Sequence, residues 1–203
     1  MATNEERWQD YLQPNGTLKN LLGLTRASAL QQVEYITTTT RQETLEAAHF
    51  VLPNHGPIKG QTTADIRLLH KYLFEGIYAW AGQYRTVNMG KGNTDTFFPV
   101  ERFPMADQDM QEKLTHFAAL DEDQYTVAQN MGEIISEFNW WHPFREGNGR
   151  TQRLLATLLA FQKHYYLGIA KGTTAYKAYM QASINDSPEE MAQIFFDNLL
   201  PLD

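Results

Sequence analysis

Twelve residues set the shape this chain must take: His142-Pro143-Phe144-Arg145-Glu146-Gly147-Asn148-Gly149-Arg150-Thr151-Gln152-Arg153. They separate two apolar stretches. Upstream, Tyr125, Ala128, Met131, Ile135 and Phe138 recur at spacings of three and four, the signature of one helix face. His142 falls on the end of that face, and Pro143 disfavours helical geometry in the residue before it, so the helix should stop there. Downstream, Leu154, Leu155, Leu158, Leu159 and Tyr165 predict a second buried helix. Arg150 and Arg153 fall in its first turn and share a face. Cations there oppose the helix dipole, at about 0.3–1 kcal/mol each. The conflict disappears if an anion sits on the helix N-terminus, where backbone N–H groups point outward and Gly147 and Gly149 let a phosphate approach. Glu146 is then placed to hold a divalent cation bridging phosphates. Base, metal carboxylate and phosphate cradle thus share one loop.

The same string matches the Fic motif, H-x-F-x-(D/E)-G-N-G-R-x-x-R, at every fixed position, and the chain is identified as resembling the Fic family. Further likeness lies upstream, in Leu68-Leu69-His70-Lys71-Tyr72-Leu73-Phe74, in Ala79-Trp80-Ala81-Gly82-Gln83-Tyr84-Arg85, and in the leader Asn15-Gly16-Thr17-Leu18-Lys19-Asn20 with Gly23-Leu24. The resemblance implies a mainly α fold, a Fic-type helical bundle with one β-hairpin flap. It implies transfer of AMP from Mg-ATP to a Ser, Thr or Tyr hydroxyl of a target protein, with release of pyrophosphate. By position, His142 is the general base, Phe144 packs inward, and Glu146 ligates Mg²⁺. Gly147, Asn148 and Gly149 form the anion hole, Arg150 steadies the outgoing phosphates, and Arg153 reaches the γ-phosphate. The flap, by the same likeness, docks the target protein beside the site, with Lys91 and Gly92 as further candidates for nucleotide contact.

Many Fic proteins carry an inhibitory helix with the pattern (S/T)-x-x-x-E-(G/N). Only Thr39 to Glu43 comes near it, and Thr44 stands where Gly or Asn belongs. The expectation is therefore a small separate antitoxin, with inhibition in cis by Glu43 as the competing idea.

Composition narrows the classes. The chain has 203 residues, 42% hydrophobic and 20% charged, enough for a sizeable core. A net charge of −7 argues against a general nucleic-acid surface, so the phosphate site must be a local positive pocket. Cysteine is absent, which removes thiolate metal sites and fits a reducing compartment. No apolar run is long enough for a membrane span, and the N-terminal residues lack a signal-peptide core. The expectation is the bacterial cytoplasm, with delivery into a host cell left open.

Residues 1–60 read as an N-terminal helical extension on a core of 61–203. Thr25 is the expected cap of a helix to Ala47, despite four consecutive threonines at Thr37–Thr40 that suit a strand better. Pro53–Gly60 reads as loop. Thr62 and Asp65 form a capping box that opens a helix to about Trp80. Tyr84–Phe98 reads as the hairpin, turning at Gly90-Lys91-Gly92-Asn93. A helix to about Leu120 follows. Ser187-Pro188-Glu189-Glu190 starts a last helix that Pro201 should end.

Ordinary readings stand beside the sharp ones. Glu146 alone would pair with Arg150 four residues on, and the arginines would pair with carboxylates elsewhere. One of Trp140 and Trp141 at least belongs in the core. His49, His55, His70, His116 and His164 show no metal-ligand spacing and read as structural or surface. Three rival functions remain: a relative moving UMP or a phosphoryl group, a non-catalytic nucleotide- or partner-binding module, and a nucleic-acid binder. The acidic balance disfavours the last, intact His142 disfavours the second, and Gly147, where the phosphorylating Doc branch has lysine, disfavours phosphoryl transfer within the first.

Overall fold

The computed structural model describes residues 2–91 and 95–202, with Lys91 and Asp95 described in backbone only. The helices are α1 (Asn4–Asp10), α2 (Ala27–Ala47), α3 (Thr63–Phe74), α4 (Phe103–Ala119), α5 (Gln124–Trp141), α6 (Asn148–Gln162), α7 (Thr174–Asn185) and α8 (Pro188–Asn198). Short strands pair antiparallel: β1 (Val51–Leu52) with β2 (Gly56–Pro57), β3 (Gly90–Lys91) with β4 (Asp95–Thr96), and β5 (Tyr165–Leu167) with β6 (Leu199–Pro201). The protein is a helical bundle, as expected, and only β3–β4 corresponds to the anticipated flap.

The core gathers the apolar faces of α3, α4, α5 and α6. Met131, Ile135, Phe138 and Trp141 of α5 and Leu154, Leu155, Leu158 and Leu159 of α6 are all fully buried. Tyr125, expected on that face, is instead 61% exposed and meets Phe196 edge-on. α5 and α8 lie so close that Cβ at Gly132 would come within 2.7 Å of Ala192 and of the Pro188 carbonyl. Trp140 is exposed, and Trp141 takes the core position.

Local start signals hold where the cap is self-contained. Thr62 and Asp65 cap α3 reciprocally, and Asp123 and Ser187 cap α5 and α8. α2 is helical through all four threonines. Thr38 and Thr44 turn their hydroxyls back to the carbonyls of Glu34 and Thr40, satisfying them within the helix. Its N-cap is Arg26 and not Thr25, whose carbonyl is taken by Asn15 and Thr17.

Other boundaries differ. α3 ends at Phe74 and not near Trp80, because the chain reverses through Gly76 at φ +77°. The 53–60 segment is not all loop, since it contains β2, which pairs back onto β1 just before it. α8 ends at Asn198 before Pro201 is reached, since Leu199–Pro201 joins β5. α7 had no counterpart in the sequence expectation.

Candidate active site

The motif lies where α5 breaks and α6 begins. His142 is the C-cap of α5 in left-handed geometry (φ 49°, ψ 59°), and its N–H still donates to the Phe138 carbonyl at 2.9 Å. The imidazole Nδ1 lies 3.4 Å from the Asn139 carbonyl. With Nδ1–H directed there, the lone pair belongs to Nε2, the arrangement a general base needs.

The backbone around His142 is fixed by a residue that local spacing does not single out. Arg85 is 2% exposed, and its guanidinium donates to the carbonyls of His142 (2.8 Å), Val87 (2.5 Å), Phe98 (2.6 Å) and Trp141 (3.3 Å). Its own N–H donates to the Pro143 carbonyl at 2.8 Å. One buried cation thus ties both arms of the flap to the C-terminus of α5, where a positive charge also suits the helix dipole.

Phe144, fully buried, lies face to face on the His70 ring at 3.8 Å. His70 accepts the Gly82 N–H at Nδ1 (2.8 Å), which leaves the proton on Nε2 to donate to the Glu146 carbonyl (3.0 Å). Burial, foremost, pushes its pKa down to about 3, so it stays neutral and holds the loop rather than acting on protons. Asn148, 5% exposed, staples the loop: its side chain accepts the Phe144 N–H (2.9 Å) and donates to the Phe144 carbonyl (2.7 Å). Its contribution to an anion hole is therefore through the backbone.

Gly147 caps α6 at φ +82° and has no side chain to cap with. The first intrahelical bond runs from Thr151 N–H to the Gly147 carbonyl. The N–H groups of Asn148, Gly149 and Arg150 precede that bond and belong to the orphan donors of a helix start. Gly149 is exposed among them. Those donors and the dipole make this turn suited to a phosphate.

The two arginines are disposed differently. Arg150 Nη2 pairs with Glu34 of α2 at 2.8 Å and with Glu146 at 3.2 Å, its guanidinium over the Phe74 ring. Glu34, with 7% of its side chain exposed, also accepts the Tyr78 hydroxyl. Burial raises its pKa, and the hydrogen bond and charge of Arg150 oppose that shift. Arg153 lies 5.7 Å from the Tyr176 ring and, with Arg150, lines a cavity of about 330 Å³ that also contains Thr39 and Glu43.

Glu146 accepts the Gly147 N–H and the Arg150 guanidinium on Oε1, and 41% of its side chain is exposed. Among the described residues no group of three or more His, Cys, Asp or Glu stands ready to cage a metal ion. Glu146 fits the other kind of site, in which Mg²⁺ takes one carboxylate, water and substrate phosphates. Lys91, as a side chain, and Gly92 lie outside the described residues. Arg85, His70 and Glu34 are the participants that sequence spacing left unmarked; the first two stand in the segments that carry the family likeness.

The sequence profile described as the Fic/DOC family matches residues 60–160. "Probable protein adenylyltransferase Fic" of Salmonella typhimurium is 31% identical over 172 residues, 80% of this chain and 79% of the relative. "Protein adenylyltransferase VbhT" of Bartonella schoenbuchensis is 32% identical over 156 residues, 75% of this chain but 30% of that longer protein. In fold, the crystal structure of the BepC effector of Bartonella tribocorum, solved with bound AMPPNP, superposes with a TM-score of 0.78 at 20% identity, covering 96% of this chain and 98% of that one.

Proposed function

The chain belongs to the Fic/DOC family, and on that premise we propose that it is a protein adenylyltransferase working through the 142–153 loop. One observation carries the reading: an imidazole with its basic nitrogen defined by Asn139 stands one loop away from an open helix N-terminus. ATP binds with its phosphates on the N–H groups of residues 148–150, and Arg153 takes the γ-phosphate. The target hydroxyl oxygen attacks Pα while its proton passes to His142 Nε2. The new O–Pα bond forms, the bond from Pα to the bridging oxygen breaks, and the electron pair leaves with pyrophosphate. Fixed donors stabilise that departing charge without reorganising, and a positioned base contributes typically about 10²–10⁴-fold.

Glu146 would hold Mg²⁺, which supplies charge neutralisation on the phosphates when bound. Arg150 aids from the side, its position set by Glu34. The target protein adds its backbone to the β3–β4 hairpin, a docking by strand addition, and Lys91 and Gly92 remain candidates for nucleotide contact. Residues 1–60 serve as an extension carrying α2 against the core formed by 61–203. The setting is the bacterial cytoplasm. The test is α-labelled ATP added to a bacterial lysate: the wild type labels a protein, and His142→Ala does not. Equal labelling by the variant would overturn the assignment of the base.

Restraint by a separate small antitoxin is the first reading of regulation. A second has a specific observation in its favour, since Thr39 and Glu43 line the same cavity as Arg153. A Glu43→Gly protein, purified without any partner, separates them. Faster labelling than the wild type assigns the restraint to α2, whereas an unchanged rate leaves it with a separate protein.

A further inference from the structure

The flap touches the base. Phe97 follows β4 directly, and its N–H donates to the Met89 carbonyl at 3.1 Å, which continues the hairpin ladder by one residue. Its phenyl ring lies on the imidazole of His142, centroids 3.7 Å apart and planes inclined by 14°. The next residue anchors the arm. Phe98 N–H donates to the Trp140 carbonyl (3.2 Å), its ring packs edge-on against Trp140, and its carbonyl accepts from Arg85. Phe98 is buried and carries the packing of this arm, whereas Phe97 is partly exposed. Core packing therefore does not require an aromatic ring at position 97.

We propose that Phe97 is a positioning residue for the base, holding the imidazole plane and presenting a π face to the charge His142 acquires as it takes the hydroxyl proton. The proposal rests on His142 being that base. During the transfer the neutral ring becomes an imidazolium. A phenyl face within about 6 Å of a cation attracts it through the ring quadrupole. This attraction is greater for the charged ring than for the neutral one, so it acts on the transition state and not on nucleotide binding. The ring also covers one face of the imidazole and so resists its turning about the Cβ–Cγ bond, and Nδ1 toward the Asn139 carbonyl selects between the two flipped orientations that share this plane. Because Phe97 extends the hairpin ladder, a target strand added to the flap bears on the imidazole through this side chain, beside the backbone link that Arg85 makes.

The test uses the whole 203-residue chain in three forms: wild type, Phe97→Leu and Phe97→Tyr. Histidine-labelled NMR reads the His142 Cε1–H resonance, assigned by its loss in His142→Ala. The stacked phenyl shifts it upfield, and Phe97→Leu should move it downfield, while Phe97→Tyr should leave it in place. The maximal rate of α-label transfer into lysate protein should fall about 2- to 30-fold in Phe97→Leu, the range expected for one cation–π contact. The ATP concentration for half-maximal rate should not change, and Phe97→Tyr should restore the rate. An unshifted resonance, an unchanged rate in Phe97→Leu, a loss confined to ATP affinity, or equal impairment in Phe97→Tyr would overturn the proposal. Should Phe97→Leu melt well below the wild type, Phe97→Tyr carries the test: a displaced resonance or a lost rate then refutes it. Failure of the underlying reading looks different, since His142→Ala would then transfer label as the wild type does.

Discussion

Gly147 and Gly149 flank one asparagine, yet the structure gives them different reasons to be glycine, and substituting each by alanine separates the reasons. At Gly149 a Cβ would meet only Arg153 Nη1, at 3.4 Å, and the residue is exposed in the first turn of α6 with helical geometry. Nothing in the fold demands glycine there. Replacing it by alanine should stabilise the nucleotide-free protein by about 0.4–1 kcal/mol, chiefly through the unfolded chain, raising Tm by about 1–4 °C. The methyl group would, however, stand among the N–H groups that receive phosphate. Losing one charge-assisted hydrogen bond of about 1.5–3 kcal/mol weakens ATP binding about 10- to 150-fold.

At Gly147 the reason is the fold. The residue has φ +82°, and a Cβ would lie 2.3 Å from two atoms of the buried Phe74 ring. Left-handed strain and overpacking together cost about 2–5 kcal/mol and lower Tm by about 4–20 °C. Differential scanning fluorimetry without nucleotide and calorimetric titration with ATP read both effects. A Gly149→Ala protein that melts higher but binds ATP as the wild type does would refute the phosphate cradle. One that melts lower would refute the structural argument.

Two more expectations concern buried ionisable groups. His70, held near 3 against an ordinary value of 6.5, binds its proton more readily when unfolded. Its contribution to stability is therefore complete above 6.5 and is lost at about 1.4 kcal/mol per pH unit as pH falls toward 3. Its NMR resonances should show the Nε2–H tautomer unchanged from pH 8 to 5, and titration in that range would contradict the geometry. Glu34 has the opposite sign. Its folded pKa lies above 4.5, so the folded state holds the proton longer and the wild type loses stability as pH rises from that value through the folded pKa. A Glu34→Gln protein lacks this slope, so its melting temperature should gain on the wild type as pH rises through that window. A constant difference would refute the burial argument.

How much was legible in the sequence follows from the range over which each feature is decided. The end of α5 at Trp141, the opening of α6 and the caps at Thr62 and Ser187 rest on residues within four positions of one another, and all stand where expected. The site residues whose partners are distant were not legible. Arg85 reaches carbonyls 57 residues away, His70 reaches Glu146 across 76, and Glu34 reaches Arg150 across 116. Histidine spacing shows no metal-ligand pattern, and it says nothing of a ring wedged beneath a loop. α7 buries only Tyr179 and Ala182, too thin a stripe to announce a helix. β5 and β6 are three residues each, and their pairing depends on α8 bringing the chain back. For the glycines, residue type was visible and the reason for it was not.

The central claim is that an imidazole at the end of α5 directs a hydroxyl onto the α-phosphate of a triphosphate cradled by α6. Parallel incubations of lysate and protein with ATP labelled at the α- or the γ-phosphate test it most directly. Transfer to protein from the α-label alone, abolished by His142→Ala, is the predicted result. His142-dependent label reaching protein only from the γ-position would contradict it.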